Sequence, residues 1–156
     1  MRYRFFKEGM RVCILTVVLA TMLTGVAGAA EFVSVVKDGV NLRSGPTTSH
    51  EILFQLPAGY PLKVLERDKK WIKVSDYEND KGWIYAGLVA KTPYVIVRAD
   101  EGNVRSGPGT NYDKVGKVVR DVILKKVETE GNWFKISHPE LTGWIYSNLV
   151  WPKETS

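Results

Sequence analysis

The sequence predicts an all-β chain, with two small barrels in tandem behind a removable leader. Three observations carry this. The chain opens on a basic and then apolar stretch. It spells one turn-rich segment twice, VNLRSGP at Val40–Pro46 and GNVRSGP at Gly102–Pro108. Its later apolar residues alternate at period two, with no helical period of 3.6 that runs far.

The leader comes first. Arg2, Arg4, Lys7 and Arg11 precede a run without charge from Val12 to Ala30, with small residues at Ala27 and Ala29. This is the plan of a secretory signal peptide cut after Ala29. The other reading is an uncleaved anchor helix. A spanning helix wants about 20 apolar residues, and the strongly apolar part here ends near Leu23. Cleavage is the preferred reading, and no stable membrane insertion is expected after it. The full chain carries 22 Lys+Arg against 17 Asp+Glu, a net charge of +5, and loss of the leader brings this to +2. Most of the basic excess therefore sits in the leader, and nucleic acid is not an expected partner. Cys13 is the single cysteine and also lies there. The exported part would have no disulfide and no thiol nucleophile, and packing alone must hold it.

The repeat is next. At an offset of 62, residues 41–75 meet 103–137 with twelve identities, among them Asn41/Asn103, Arg43/Arg105, Gly45/Gly107, Pro46/Pro108 and Trp71/Trp133. One deletion then aligns GWIYAGLV with GWIYSNLV and pairs Trp83 with Trp144. Two copies of under 60 residues imply two domains and not a solenoid. Each copy reads as five or six short strands. Val33–Val36 and Tyr94–Arg98 are β-branched starts. PLKVLER and VILKKVE alternate imperfectly, and WIKVS and WFKIS follow at period two after a tight turn. In WIKVS, Trp71, Lys73 and Ser75 share one face, opposite Ile72 and Val74. KGWIY and TGWIY add another strand. So many short strands in so few residues suggest a small barrel with strongly bent sheets.

The repeated turn has a local reading. Gly45 and Gly107 can take positive φ, while Pro46 and Pro108 fix theirs. Asn41 and Asn103 are expected to cap backbone groups where a strand leaves the sheet. Where copy one has Gly59, copy two has Asp121, which tolerates the left-handed conformation better than most residues.

Together the NLRSGP and NVRSGP openings, PLKVLE…WIKVS and the closing GWIY segments resemble the bacterial SH3-like domain, SH3b. The resemblance covers about residues 33–150. It gives an expected division into a signal peptide (1–29), a first SH3-like domain (30–90), a linker (91–93), a second domain (94–151) and a tail (152–156). It implies a targeting module of an exported bacterial protein, located in the periplasm or envelope or outside the cell. Such modules often accompany wall hydrolases and hold peptidoglycan, chiefly its peptide part. The other reading is an interaction module for an extended peptide of a partner envelope protein. His50 against Tyr112, and Phe54-Gln55 against Gly116, depart from a common pattern between the copies.

No catalytic constellation is found. The exported part has no Cys, and His50 and His138 occupy non-equivalent positions without metal-ligand spacing. No nucleophile-elbow motif is present, and neither an enzyme nor a cofactor is expected. Trp71, Trp83, Trp133 and Trp144 are assigned to the core, because so small a domain needs large aromatics. Tyr85 and Tyr146 are candidate groove residues. His50 and Tyr112, in the loop after RSGP, are candidate ligand contacts. Arg43 and Arg105 either brace that loop or meet a ligand carboxylate, and bracing is preferred. Trp151 is expected to pack back on the second unit. The short AKTP linker spans about 14 Å at most, so two weak sites would act together by effective concentration.

Overall fold

The computed structural model describes residues 28–153. The expected leader therefore lies outside the described residues except for Gly28 and Ala29. Each repeat folds into its own seven-stranded antiparallel sheet, one or two strands more than the pattern suggested. The first holds β1 (Phe32–Val35), β2 (Val40–Arg43), β3 (Ile52–Leu56), β4 (Pro61–Asp68), β5 (Trp71–Ser75), β6 (Lys81–Tyr85) and β7 (Val89–Ala90). The second repeats them as β8 (Tyr94–Val97), β9 (Glu101–Arg105), β10 (Lys114–Val119), β11 (Ile123–Glu130), β12 (Trp133–His138), β13 (Leu141–Tyr146) and β14 (Val150–Trp151). The strand order is β3-β2-β6-β5-β4-β1-β7 and, in parallel fashion, β10-β9-β13-β12-β11-β8-β14. The closing strands β7 and β14 were missed because two residues carry no period. Among the described residues no helix is long and apolar enough to cross a membrane.

Period two places the cores. Ile72 and Val74 of β5 join Leu42, Leu62, Val33 and Ile84 inside the first barrel. Phe134 and Ile136 of β12 do the same in the second, with Val104, Leu124, Val95 and Ile145. The imperfect alternation in β4 and β11 also has a cause. The register with the next strand slips between Val64 and Glu66, and between Lys126 and Glu128. Leu65 and Val127 are the extra residues, and both are exposed. Such a bulge bends the strand and increases its twist, which a small barrel requires.

Tight turns join the strands. Lys69 (φ 53°) and Gly131 (φ 54°) occupy the same left-handed position in the hairpins before β5 and β12. Gly59 and Asp121 do so at φ 77° and 69°, so the aspartate does adopt the glycine-like backbone.

The aromatic core assignment needs correction. Trp71, Trp83 and Trp133 are only partly buried, and Trp144 alone of the four is buried. Among the described residues the interiors are filled by Val, Leu and Ile, with Phe134 as the one fully buried ring in a core cluster and Tyr60 packed against the first from its margin. Branched aliphatic side chains suffice because each sheet wraps its own inner face. Trp151 also differs from expectation. Its backbone pairs with β8, but its ring meets Phe32 of the first barrel edge-on at 5.4 Å. A second contact between the barrels runs from the Tyr77 hydroxyl to Asp121 Oδ1 at 2.6 Å.

Candidate binding grooves

The RSGP loop is built the same way twice. The Ser44 amide donates to the Glu51 carbonyl and the Ser106 amide to the Asp113 carbonyl, both at 2.9 Å, closing the loop at its neck. Arg43 Nη1 donates to the Thr48 and His50 carbonyls at 3.0 and 2.9 Å. Arg105 Nη1 donates likewise to Thr110 and Tyr112 at 3.0 and 2.8 Å. The arginines thus hold the loop in shape.

Gly45 and Gly107 do not use their freedom for positive φ. Their smallness serves contact instead. A Cβ on Gly45 would run into the His50 ring, and one on Gly107 into the Tyr112 ring. His50 and Tyr112 therefore lie across the loop on the two glycines, and the Thr47 hydroxyl meets His50 Nδ1 at 2.7 Å. Asn41 and Asn103 do not stand where a strand ends. Both lie inside strands, and Asn41 Oδ1 accepts from Gln55 on β3 at 3.2 Å.

Beside each loop the outer face of the sheet carries a tryptophan and a tyrosine directly opposite one another. Trp71 pairs with Tyr85 and Trp133 with Tyr146 in register. The ring centroids stand 5.8 and 5.4 Å apart, the first pair edge-on and the second tilted. Next along the same face, Lys73 lies over Trp83 at 5.8 Å and Lys135 over Trp144 at 5.9 Å, a cation–π arrangement in each case. These lysines cover the second tryptophan, and among the described residues no lysine lies over the first.

The result is one groove per barrel. The first, about 410 Å³, is lined by Asn41, Arg43, Thr48, Trp71, Tyr85 and Leu88, together with Lys37. The second, about 550 Å³, is lined by Asn103, Arg105, Thr110, Trp133, Tyr146 and Leu149, together with Asn111. Aromatic walls with a few placed amide and hydroxyl groups suit flat or extended polar ligands. The structure brings Arg43 together with Tyr85, and Arg105 with Tyr146. His50 and Tyr112 line neither groove. Trp71 and Trp133 do, although the sequence reading placed them inside. The signal was present in WIKVS, whose period puts Trp71 on the face of Lys73 and not of Ile72.

Asp76, Glu78 and Asp80 bring carboxylates together on an exposed hairpin, but Asp76 Oδ1 accepts the Glu78 and Asp80 amides, both at 2.9 Å, which makes it a turn former. His138 Nδ1 accepts the Glu140 amide at 3.2 Å in the equivalent hairpin.

Two bent seven-stranded sheets with matching loops and grooves define a tandem of SH3-like barrels. The chain belongs to the bacterial SH3 domain family, whose pattern matches it at residues 38–90 and 100–150. It is similar to the "Putative N-acetylmuramoyl-L-alanine amidase YrvJ" of Bacillus subtilis (strain 168), at 28% identity over 151 residues. That match takes in 89% of this chain but 29% of the relative. Among solved structures, an NlpC/P60 family protein from Bacillus cereus matches 77% of the chain and 55% of its own, at 12% identity and a TM-score of 0.37. NlpC2 from Trichomonas vaginalis matches 78% of the chain and 47% of its own, at 15% identity and a TM-score of 0.33.

Proposed function

We propose that the chain is an exported, non-catalytic module that attaches to cell-wall peptidoglycan, through its peptide part, by the two grooves. The observation that carries this is the recurrence of one groove chemistry, Asn–Arg–Thr–Trp–Tyr–Leu, in both barrels. Family membership and the similarity to a protein named as a putative N-acetylmuramoyl-L-alanine amidase support the same reading. Recognition would use the face of Trp71 or Trp133 and the Tyr85 or Tyr146 hydroxyl, beside a loop braced by Arg43 or Arg105. With two linked sites, a weak groove gains by effective concentration.

The test is co-sedimentation of residues 30–156 with protein-free sacculi across a salt series. Saturable retention that persists at high salt is expected. Trp71→Ala and Trp133→Ala should each weaken it by about tenfold or more through loss of bivalency. Retention that disappears by physiological salt would mark mere electrostatic adhesion. Unchanged retention in both folded variants would remove the grooves from the account.

A second reading has its own observation. Edge strand β3 exposes Ile52, Leu53 and Phe54 without a charge among its residues, whereas its counterpart β10 exposes Val115 and Val119 but also carries Lys114 and Lys117. Lysines guard an edge against strand addition. The unguarded β3 favours pairing with an extended peptide of a partner envelope protein.

A further inference from the structure

A cleft of about 450 Å³ lies between the two barrels, outside both grooves. Strand β1, the linker and strand β11 contribute its walls. Phe32, Pro93 and Tyr94 make it partly apolar, and the hydroxyl residues Ser34, Thr92 and Thr129 line it too.

Three charged residues face this cleft, and two are already matched. Lys91 Nζ lies 3.8 Å from Glu31, and Glu128 accepts from Lys135 at 3.4 Å. Lys126 has no carboxylate within 4.0 Å among the described residues. The repeat shows how unusual its position is. The equivalent residue of the first barrel is Val64, which packs against that barrel's core. Copy two replaces this apolar residue with an ammonium that is half-buried and stands 4.8 Å from the centre of the Phe134 ring. Burial pushes the Lys126 pKa down. The ring face compensates part of the lost hydration, and an anion would supply the rest through a charge-assisted hydrogen bond.

We propose that the cleft between the barrels binds a carboxylate group, with Lys126 as its counter-charge and Ser34, Thr92 and Thr129 as the neutral donors beside it. This site is independent of the grooves and of their ligand. The carboxylate has two sources: a peptide acid from outside, or Glu154 of this chain, two positions after Pro152, which itself lines the cleft.

The experiment is an NMR titration of residues 30–156 with N-acetyl-alanyl-alanine, and with its C-terminal amide as the uncharged control, up to about 10 mM. The amide signals of Thr92, Tyr94 and Lys126 are followed. Saturable shifts with the acid, at least about tenfold tighter than with the amide and lost in Lys126→Met, support the site and an outside ligand. An acid that is silent on the wild type but binds the Glu154→Gln variant supports the site and makes Glu154 its resident occupant. Acid and amide behaving alike, or both silent, in the wild type and in Glu154→Gln overturns the proposal. The acid–amide comparison needs no change at Lys126, so a misfolded Lys126→Met would not blunt it. Sacculus retention through the grooves is read separately and can fail or hold without deciding this site.

Discussion

Replacing Gly107 by alanine isolates one contact in the second barrel. The backbone there is not left-handed, so alanine suits its φ. The cost must come from the ring of Tyr112. A Cβ would stand 2.6 Å from Tyr112 Cγ, and closer still to Cδ1 and Cε1. The ring has to retreat by about 1 Å, an overpacking of the kind that costs about 1–3 kcal/mol. It cannot take the backbone with it cheaply, because the Tyr112 carbonyl is held by Arg105 and the loop neck by the Ser106–Asp113 bond. A domain of this size loses about 4–8 °C of melting temperature per kcal/mol. Tyr112→Ala alone should cost little, since that side chain is 44% exposed. The double variant should be no less stable than Tyr112→Ala, giving a coupling of about 1–3 kcal/mol in a double-mutant cycle. Denaturant-dependent hydrogen exchange at β9 and β10 amides reads the second barrel apart from the first. Additive losses would refute the argument that Gly107 is small in order to seat the ring.

Phe134→Ala should cost about 3–5 kcal/mol and unfold the second barrel at moderate denaturant, since the ring is 1% exposed; a loss under 1 kcal/mol would put it outside the core. Lys69→Gly should stabilise the first barrel by about 0.5–1 kcal/mol, the left-handed cost less glycine's extra unfolded-state entropy, and thermal melting checks it. The Tyr77 pKa is pushed up to about 12, first by its hydrogen bond to Asp121 and then by burial. A raised folded-state pKa means that this contribution to stability is full below about pH 10 and is lost as pH rises through about 12. Ultraviolet titration should show it, and Asp121→Gly, which keeps the left-handed backbone, should return Tyr77 toward its ordinary range.

The class of fold was legible because its signals are local and repeated. Period two in WIKVS and WFKIS sorted core from surface before any contact was known, and the repeat gave the domain count. Turn chemistry was legible where one residue's own φ decides it, as at Gly59 and Asp121. It did not reveal the use of Gly45 and Gly107, whose size answers to a ring five residues on. Aromatics were misassigned for a related reason. Residue type says that a tryptophan is large and apolar, and that argument overrode the period of WIKVS, which already put Trp71 on the face of Lys73 and opposite the buried Ile72. Trp71 and Trp133 became groove walls through cross-strand pairing with Tyr85 and Tyr146, which strand register alone fixes. The contacts between the barrels, Phe32 with Trp151 and Tyr77 with Asp121, join residues far apart in the chain and leave no local pattern. The sequence by itself thus determined two all-β units and their inward faces, because alternation is a property of the strand. Only the tertiary structure decided which outward residues meet to form grooves and a cleft, because that depends on register, bulges and the packing of one barrel against the other.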